Sequence, residues 1–240
     1  MNSLKVLRNE IICCFNEEDT NNGSNTDRDD LVDTYAAKLN NEKVKSIIST
    51  ANNTSGIVNI VFSKTNPNIV NATPIIVSDD PTDTYPGKAY AIMDDTTLYI
   101  YPEVDNNKMY APENCSNLCS SSSFTAYKFI NIEFNNFDTS NTTNMYNMFA
   151  FISKLVSIIN LDKFNTSKVT DMRGMFAQCK ALTKLDLSNF NISSTTDVGN
   201  ILFMCKALTT LYVKDENAKT MIANSTNFPS TCNIIIGKPE

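Results

Sequence analysis

The side chains able to do chemistry in this chain are carboxylates and thiols, because it contains no histidine. Without imidazole, Ser-His-Asp and Cys-His nucleophile activation and every His-ligated metal centre are excluded. Asp79, Asp80 and Asp83 crowd a proline-punctuated stretch and suggest calcium, but the spacing of an EF-hand loop is missing, which favours a solvated turn. Cys115 and Cys119 stand four apart beside the serine run Ser120 to Ser123. A metal there needs further ligands from Cys13, Cys14 or carboxylates, and no tight Cys-x-x-Cys pair exists. Small apolar residues in a reduced or disulfide-poor protein are the simpler reading. Seven cysteines cannot all pair within one chain. Asp171, Asp186 and Asp197 recur at polar positions, yet no partner acid has the distinctive spacing of an acid–base pair. We therefore expect no metal, no cofactor and no enzymatic activity.

The elements that position these residues belong to a chain of 240 residues and 26.7 kDa, enough for one or two domains with a real core. Its net charge is −6, and charged residues make up 19%, below the roughly 25% usual for soluble domains. Asparagine, at 33 residues, fills the difference. The acidic balance argues against a nucleic-acid partner, whose phosphates need clustered Lys and Arg. No stretch approaches the roughly 20 apolar residues of a membrane span, so no membrane insertion is expected. Lys5, Arg8 and Glu10 break up the start, and the apolar run Ile11 to Phe15 is shorter than the about 7–15 residues of a secretory signal. No hydrophobic segment precedes Cys13 and Cys14, as a lipoprotein cysteine requires. Two routes to a surface remain: a leader outside these residues, or export without one.

The N-terminal half is heterogeneous. Leu4 to Phe15 reads as a strand or short helix, and Asn16 to Asp30 as a polar linker with no apolar anchor. Asp29 or Asp30 can cap a helix running to about Ile48, with Leu31, Val32, Tyr35, Ala36, Leu39 and Val44 as a partial apolar stripe and Gly56 as its stop. Strand signals follow at Ile57 to Phe62, Pro74 to Val77, Ala89 to Met93 and Thr97 to Tyr101, the last two flanking Asp94-Asp95 as a hairpin. This organisation gives residues 1–55 as an arm, linker and helix for attachment, 56–125 as a small β-rich region, and 126–240 as a repeat array with a C-terminal cap.

The repeat is the strongest signal. Residues 132 to 151, 159 to 178 and 185 to 204 align without gaps, at a spacing of 26 except for one extra residue between Leu155 and Ile159. Ile132, Ile159 and Leu185 form one apolar column, and Phe137, Phe164 and Phe190 another. Met148, Met175 and Ile201 form a third, followed by Phe149, Phe176 and Leu202. Each copy changes period midway. Leu185-x-Leu187 alternates as a strand does. Met172, Met175, Phe176, Cys179 and Leu182 recur at helical spacing, with Thr170 or Asp171 available as the cap. One strand and one helix per copy predicts an α/β leucine-rich-repeat solenoid of 26–27-residue repeats, preceded by a small mixed α+β region. No copy buries its apolar face alone, so stacking is required. The Met and Phe columns are core ladders, not a cofactor box. Cys179 and Cys205 fall at equivalent inward positions. A disulfide between them is geometrically conceivable, and buried thiols are the favoured state. Asn141, Asn165 and Asn191 begin Asn-x-Ser/Thr sequons as a by-product of composition.

The segment FNTSKVTDMRGMFAQCKALTKLDLSNF, Phe164 to Phe190, resembles the repeats of the BspA-like leucine-rich-repeat surface proteins. The Asn-Phe-Asn-Thr-Ser and Met-x-x-Met-Phe-x-x-Cys elements recur in register over about residues 126–240. The ending, with a strand at Leu211 to Val213, a short helix near Ala218 to Ala223 and a strand at Cys232 to Ile236, is similar to the way such arrays close. The resemblance implies extracellular display and adhesion rather than catalysis.

On a solenoid the outward strand residues form a continuous surface, here Glu133, Asn160, Asp186 and Tyr212. This polar, mildly acidic row is the candidate binding face, suited to glycans or basic protein surfaces, or plain solvent-facing surface. The leading functional expectation is a non-enzymatic adhesion or recognition module, displayed on a bacterial cell or phage particle, whose partner is a host or cell-surface protein or glycan. The alternative is a structural virion protein, a fibre or decoration subunit anchored by its N-terminal half. In either case residues 1 to about 30 are expected to join a larger assembly, a chain from about Gly56 should fold without them, and a homo-oligomer stays open.

Overall fold

A computed structural model of the protein describes residues 36–70, 72–79, 85–120, 127–193 and 196–239. The expected Leu4 to Phe15 element, the Asn16 to Asp30 linker, Cys13, Cys14, Asp80 and Asp83 lie outside the described residues. The first elements among the described residues are β1 (Ala37–Lys38) and α1 (Asn41–Asn53). Of the expected helix, Leu31, Val32 and Tyr35 lie outside the described residues, and Ala36 to Asn40 are not helical. Ala37 and Lys38 pair in parallel with β6 (Met109–Tyr110), so a tertiary ladder takes residues that local spacing assigned to the helix. Asn40 becomes the cap, its Oδ1 accepting the Lys43 N–H at 2.9 Å. Val44, Ile47, Ile48 and Ala51 are the buried stripe of α1.

β2 (Asn59–Phe62), β3 (Ile75–Ile76), β4 (Ala89–Met93), β5 (Thr97–Pro102), β7 (Asn131–Phe134) and β8 (Ser157–Ile159) form one sheet in the order β3-β4-β5-β2-β7-β8. The β4–β5 hairpin is antiparallel, as expected. Asp94 holds its turn, Oδ1 accepting the N–H groups of Thr96 and Thr97 at 2.8 and 2.7 Å. β2 lies parallel between β5 and β7, so strands from before residue 125 and the first repeat strand share one sheet. A second, parallel sheet contains β9 (Lys184–Leu187), β10 (Thr210–Val213) and β11 (Asn233–Ile236). α2 (Glu216–Ala223) sits between its last two strands in sequence, capped by Asp215. The inward residues of both sheets join the repeat columns in one core, to which α1 also contributes.

The expected solenoid of strand–helix repeats does not form. The described residues make three sheets and two helices, and neither helix falls where the repeats carry helical spacing. The backbone shows why. Asn147 and Phe151, Gly174 and Gln178, and Asn200 and Met204 all have φ between 52° and 66°, a left-handed conformation that interrupts a right-handed helix twice per copy. The N–H groups of Met172, Gly174, Phe176 and Gln178 donate sideways to the carbonyls of Asp197, Gly199, Ile201 and Phe203. Met175 and Ala177, between them, donate back three residues to Met172 and Gly174. Each segment is thus a chain of tight turns stitched to the next copy. Such turns place apolar side chains at intervals of three and four, the same spacing a helix uses.

The polar connectors are stitched as well. Thr139 Oγ1 donates to the Asn165 carbonyl at 3.0 Å and accepts the Asn165 N–H at 2.8 Å. Thr166 Oγ1 accepts the Asn191 N–H at 2.7 Å. Both threonines are buried, so the hydroxyls satisfy backbone groups that water does not reach. Phe149 and Phe176 stack at 5.4 Å between ring centres, as do Phe164 and Phe190 at 6.4 Å. One further turn segment precedes the recognised copies. Cys115, Asn117 and Cys119 donate N–H groups to the carbonyls of Asn144, Tyr146 and Met148, and the two cysteines occupy core positions.

Candidate functional site

The sheets bring together two of the four residues expected on one binding face. Asp186 and Tyr212 are register partners on β9 and β10, both half-buried, with Lys184 Nζ 4.9 Å from the centre of the Tyr212 ring. Glu133 lies on β7 in the other sheet, between Val61 and Ile159. Asn160 is not on a strand. β8 pairs Ile132 with Ile158 rather than Ile159, because the extra residue of this copy is taken up after the strand. There Asn160 turns left-handed at φ 63° ahead of the 3-10 turn Leu161–Lys163, and its Nδ2 donates to Asn135 Oδ1 at 2.9 Å. The neighbour of Glu133 is therefore Ile159, 45% exposed. Asn160 and Asp186 line one depression between β8 and β9, so the row differs from the expected one in having Ile159, not Asn160, beside Glu133.

The recurring carboxylates hold turns. Asn114, Asn144, Asp171 and Asp197 form a second parallel column of backbone bridges. In each, Oδ1 accepts the N–H two residues on, the Asx turn that these side chains favour. Asp186 does the same for Ser188, and Asp79 accepts from Asn40 Nδ2 at 2.7 Å. No cluster of three or more Cys, Asp or Glu among the described residues is placed to hold a metal ion. The five described cysteines are free. Cys179 Sγ donates to the Phe149 carbonyl at 3.2 Å, and Cys205 Sγ to the Phe176 carbonyl at 3.0 Å. Burial pushes the Cys115 and Cys205 thiols up to about 12 and those of Cys119 and Cys179 well up, so all four stay protonated.

A concavity lies on the turn side of the repeats, where sequence reasoning placed no site. It is a groove of about 600 Å³, and it crosses three copies. Its floor is Gly174, Gly199 and Ala177. Gly199 stands where the two preceding copies carry Arg173 and Tyr146, so the column of large side chains stops and a depression opens. The Arg173 stem lies against Gly199, its Cγ 3.6 Å from where a Cβ would sit. Tyr146, Phe151 and Phe203 supply aromatic walls, and Gln178, Asn200 and Asn227 supply amides. Asn227 Nδ2 donates to Asn200 Oδ1 at 3.1 Å, which orients both.

Arg173 is fixed on three sides. Nε and Nη2 donate to the two oxygens of Asp171 at 3.0 and 2.7 Å, Asp197 Oδ2 is 3.6 Å from Nε, and the guanidinium lies 5.3 Å from the Tyr146 ring centre. Burial pushes the Asp171 carboxyl upward, but the hydrogen bonds and charge of Arg173 outweigh it and hold the carboxyl below its ordinary range. The same bonds raise Arg173. One guanidinium between two carboxylates leaves the groove wall without surplus positive charge. The signal for this site was present in the sequence as the column Tyr146, Arg173, Gly199, which breaks the pattern of large side chains.

No helix among the described residues is long and apolar enough to cross a membrane. Residues 118–233 match a family described as "Mycoplasma protein of unknown function, DUF285". No leucine-rich-repeat family matches, which corrects the resemblance drawn from the Phe164 to Phe190 motif. No curated protein and no solved structure matches the chain.

Proposed function

We propose that the protein is a non-enzymatic recognition or adhesion module displayed on the surface of a bacterial cell, binding a host or cell-surface partner through its repeats. The observation that carries this reading is the groove over Gly174 and Gly199. It is open, walled by aromatic and amide side chains, and built on a floor whose N–H groups are all hydrogen-bonded, Gly174 to the Gly199 carbonyl of the next copy and Ala177 and Gly199 within their own turns. A floor cross-linked in this way is pre-organised, which lowers the ordering cost of binding. The match to a family described from Mycoplasma supports a bacterial cell over a phage particle. The full chain, immobilised, should retain host-surface proteins or glycans in a pull-down and on a glycan array. Retention of neither, together with turnover in a small-molecule activity screen, would make the reading wrong.

A further inference from the structure

The groove's chemistry narrows its ligand, an inference that rests on the recognition reading above. We propose that it is a binding site for an uncharged saccharide segment. A sugar ring offers apolar C–H faces and a rim of hydroxyls, and the groove offers the matching groups. Phe203, half-buried, presents an aromatic wall beside Ala177, and aromatic faces of this kind combine large apolar area with defined geometry. Gln178, Asn200 and Asn227 carry both donors and acceptors. Asn200 spends its oxygen on Asn227, so its amide N–H groups remain to donate, and the Asn227 oxygen remains to accept. Each of these three amides sits on a left-handed residue, φ 62°, 56° and 61°. Gln178 is held by its N–H bond to the Phe203 carbonyl of the next copy, and Asn200 and Asn227 by the bond between their side chains.

The charge pattern excludes the obvious competitors. A phosphate, sulfate or carboxylate ligand needs a free guanidinium, but Arg173 is already bidentate on Asp171 with Asp197 beside it. A strongly basic ligand would find one carboxylate at most, Asp197, because Asp171 is paired, and Asp197 itself lies 3.6 Å from the Arg173 guanidinium. What remains is a neutral, polyhydroxylated ligand that packs one face on an aromatic ring, as ligand sites pair apolar lining with a few placed polar groups. Adjacent copies repeat at the strand spacing of about 4.8 Å. A chain of sugar rings lying along the stack would meet successive amides in turn.

The experiment titrates the full chain with neutral hexose and N-acetylhexosamine oligosaccharides, alongside sulfated and sialylated ones, by calorimetry. The neutral series should bind, and Phe203→Ala should weaken it at least tenfold. Asn200→Asp keeps the shape and the left-handed backbone but removes the donor. It should also weaken binding at least tenfold, with an unchanged melting temperature that separates loss of contact from loss of fold. Tyr212→Ala on the strand face is the opposing arm. Neutral binding that survives both groove changes, or falls with Tyr212→Ala instead, would overturn the assignment. So would binding confined to the charged sugars. If host-surface proteins are retained but no oligosaccharide binds, the saccharide proposal fails while the recognition reading stands. If neither is retained, the saccharide proposal fails, and turnover in the activity screen would then overturn the recognition reading as well.

Discussion

Gly174 has φ 61°, and a Cβ built on it would overlap Asn147 Oδ1. The equivalent residues in the flanking copies are Asn147 and Asn200, a residue type that tolerates the same left-handed backbone, and the Asn147 amide can swing aside, so φ is the larger part of the need for glycine here and room the smaller. Gly174→Ala should cost about 1–3 kcal/mol. Adding Asn147→Gly, which removes the overlapping amide, should recover part of that loss in a double-mutant cycle; additive losses would show that the overlap does not matter. Phe176 is fully buried with Phe149 stacked on it, and Phe176→Ala should cost about 3–5 kcal/mol by transfer and cavity terms. Arg173, half-exposed on the other side, should give a far smaller melting shift when changed to alanine. Asp171 shows a pH dependence whose sign is fixed. Its folded-state carboxyl is held below the ordinary range, so its contribution is present above the unfolded value, near 3.9, and fades as pH falls through the folded one. Asp171→Asn keeps the turn acceptor, as Asn144 does one copy earlier, but removes the ionised partner of Arg173, so it should lower stability modestly at neutral pH, leave the acid end nearly unchanged and so flatten the acid limb of the profile. A profile identical to that of the unmodified chain would show that the pair does not respond to pH.

In the first two copies the polar connector is tied to the next copy by a buried threonine hydroxyl, Thr139 and Thr166, where the third copy has Ile192. Thr166→Val preserves shape but leaves the Asn191 N–H without its 2.7 Å acceptor, and should destabilise by about 1–3 kcal/mol. A neutral effect in thermal denaturation would mean that water replaces the hydroxyl. The strands were legible in the sequence because alternation has one structural meaning. Leu185-x-Leu187 became β9, and the pair flanking Asp94-Asp95 became the β4–β5 hairpin. The second half of each copy was not, because Met172, Met175, Phe176 and Cys179 fit a helix and a chain of turns equally well. What separates the two is φ, and Asn147, Gly174 and Asn200 were its only trace: residues that tolerate the left-handed region. Far-UV circular dichroism should therefore lack the strong 222 nm band that one helix per copy would give. The groove was hidden for a related reason. It is defined by a column across copies, and its floor is the small residues that a search for chemical groups passes over. Asn160 was misplaced because a repeat can absorb an extra residue anywhere between two core positions, and spacing alone does not say where.

The whole molecule differs from an independent repeat array carried on a separate head. Val44, Ile47, Ile48 and Ala51 of α1 lie in the same core as the repeat columns, and β2 is hydrogen-bonded to the first repeat strand over its full length. A chain beginning at Gly56 would lose α1 and β1 together. Each of Val44, Ile47 and Ile48 is worth about 1.5–3 kcal/mol of burial, an upper range because unfolded chains already hide some apolar surface. Their sum rivals the about 5–15 kcal/mol that holds a typical domain folded. The expectation that a Gly56 to Glu240 chain folds normally is therefore reversed. It should show no cooperative thermal transition, or one lowered by tens of degrees. A chain from Val32, the start of the compact unit that runs to Glu240, should melt in a single cooperative transition. If the two truncations melt alike, α1 is dispensable to the core. If the Val32 chain fails to fold, the boundary of the folding unit lies nearer the N-terminus than its packing indicates.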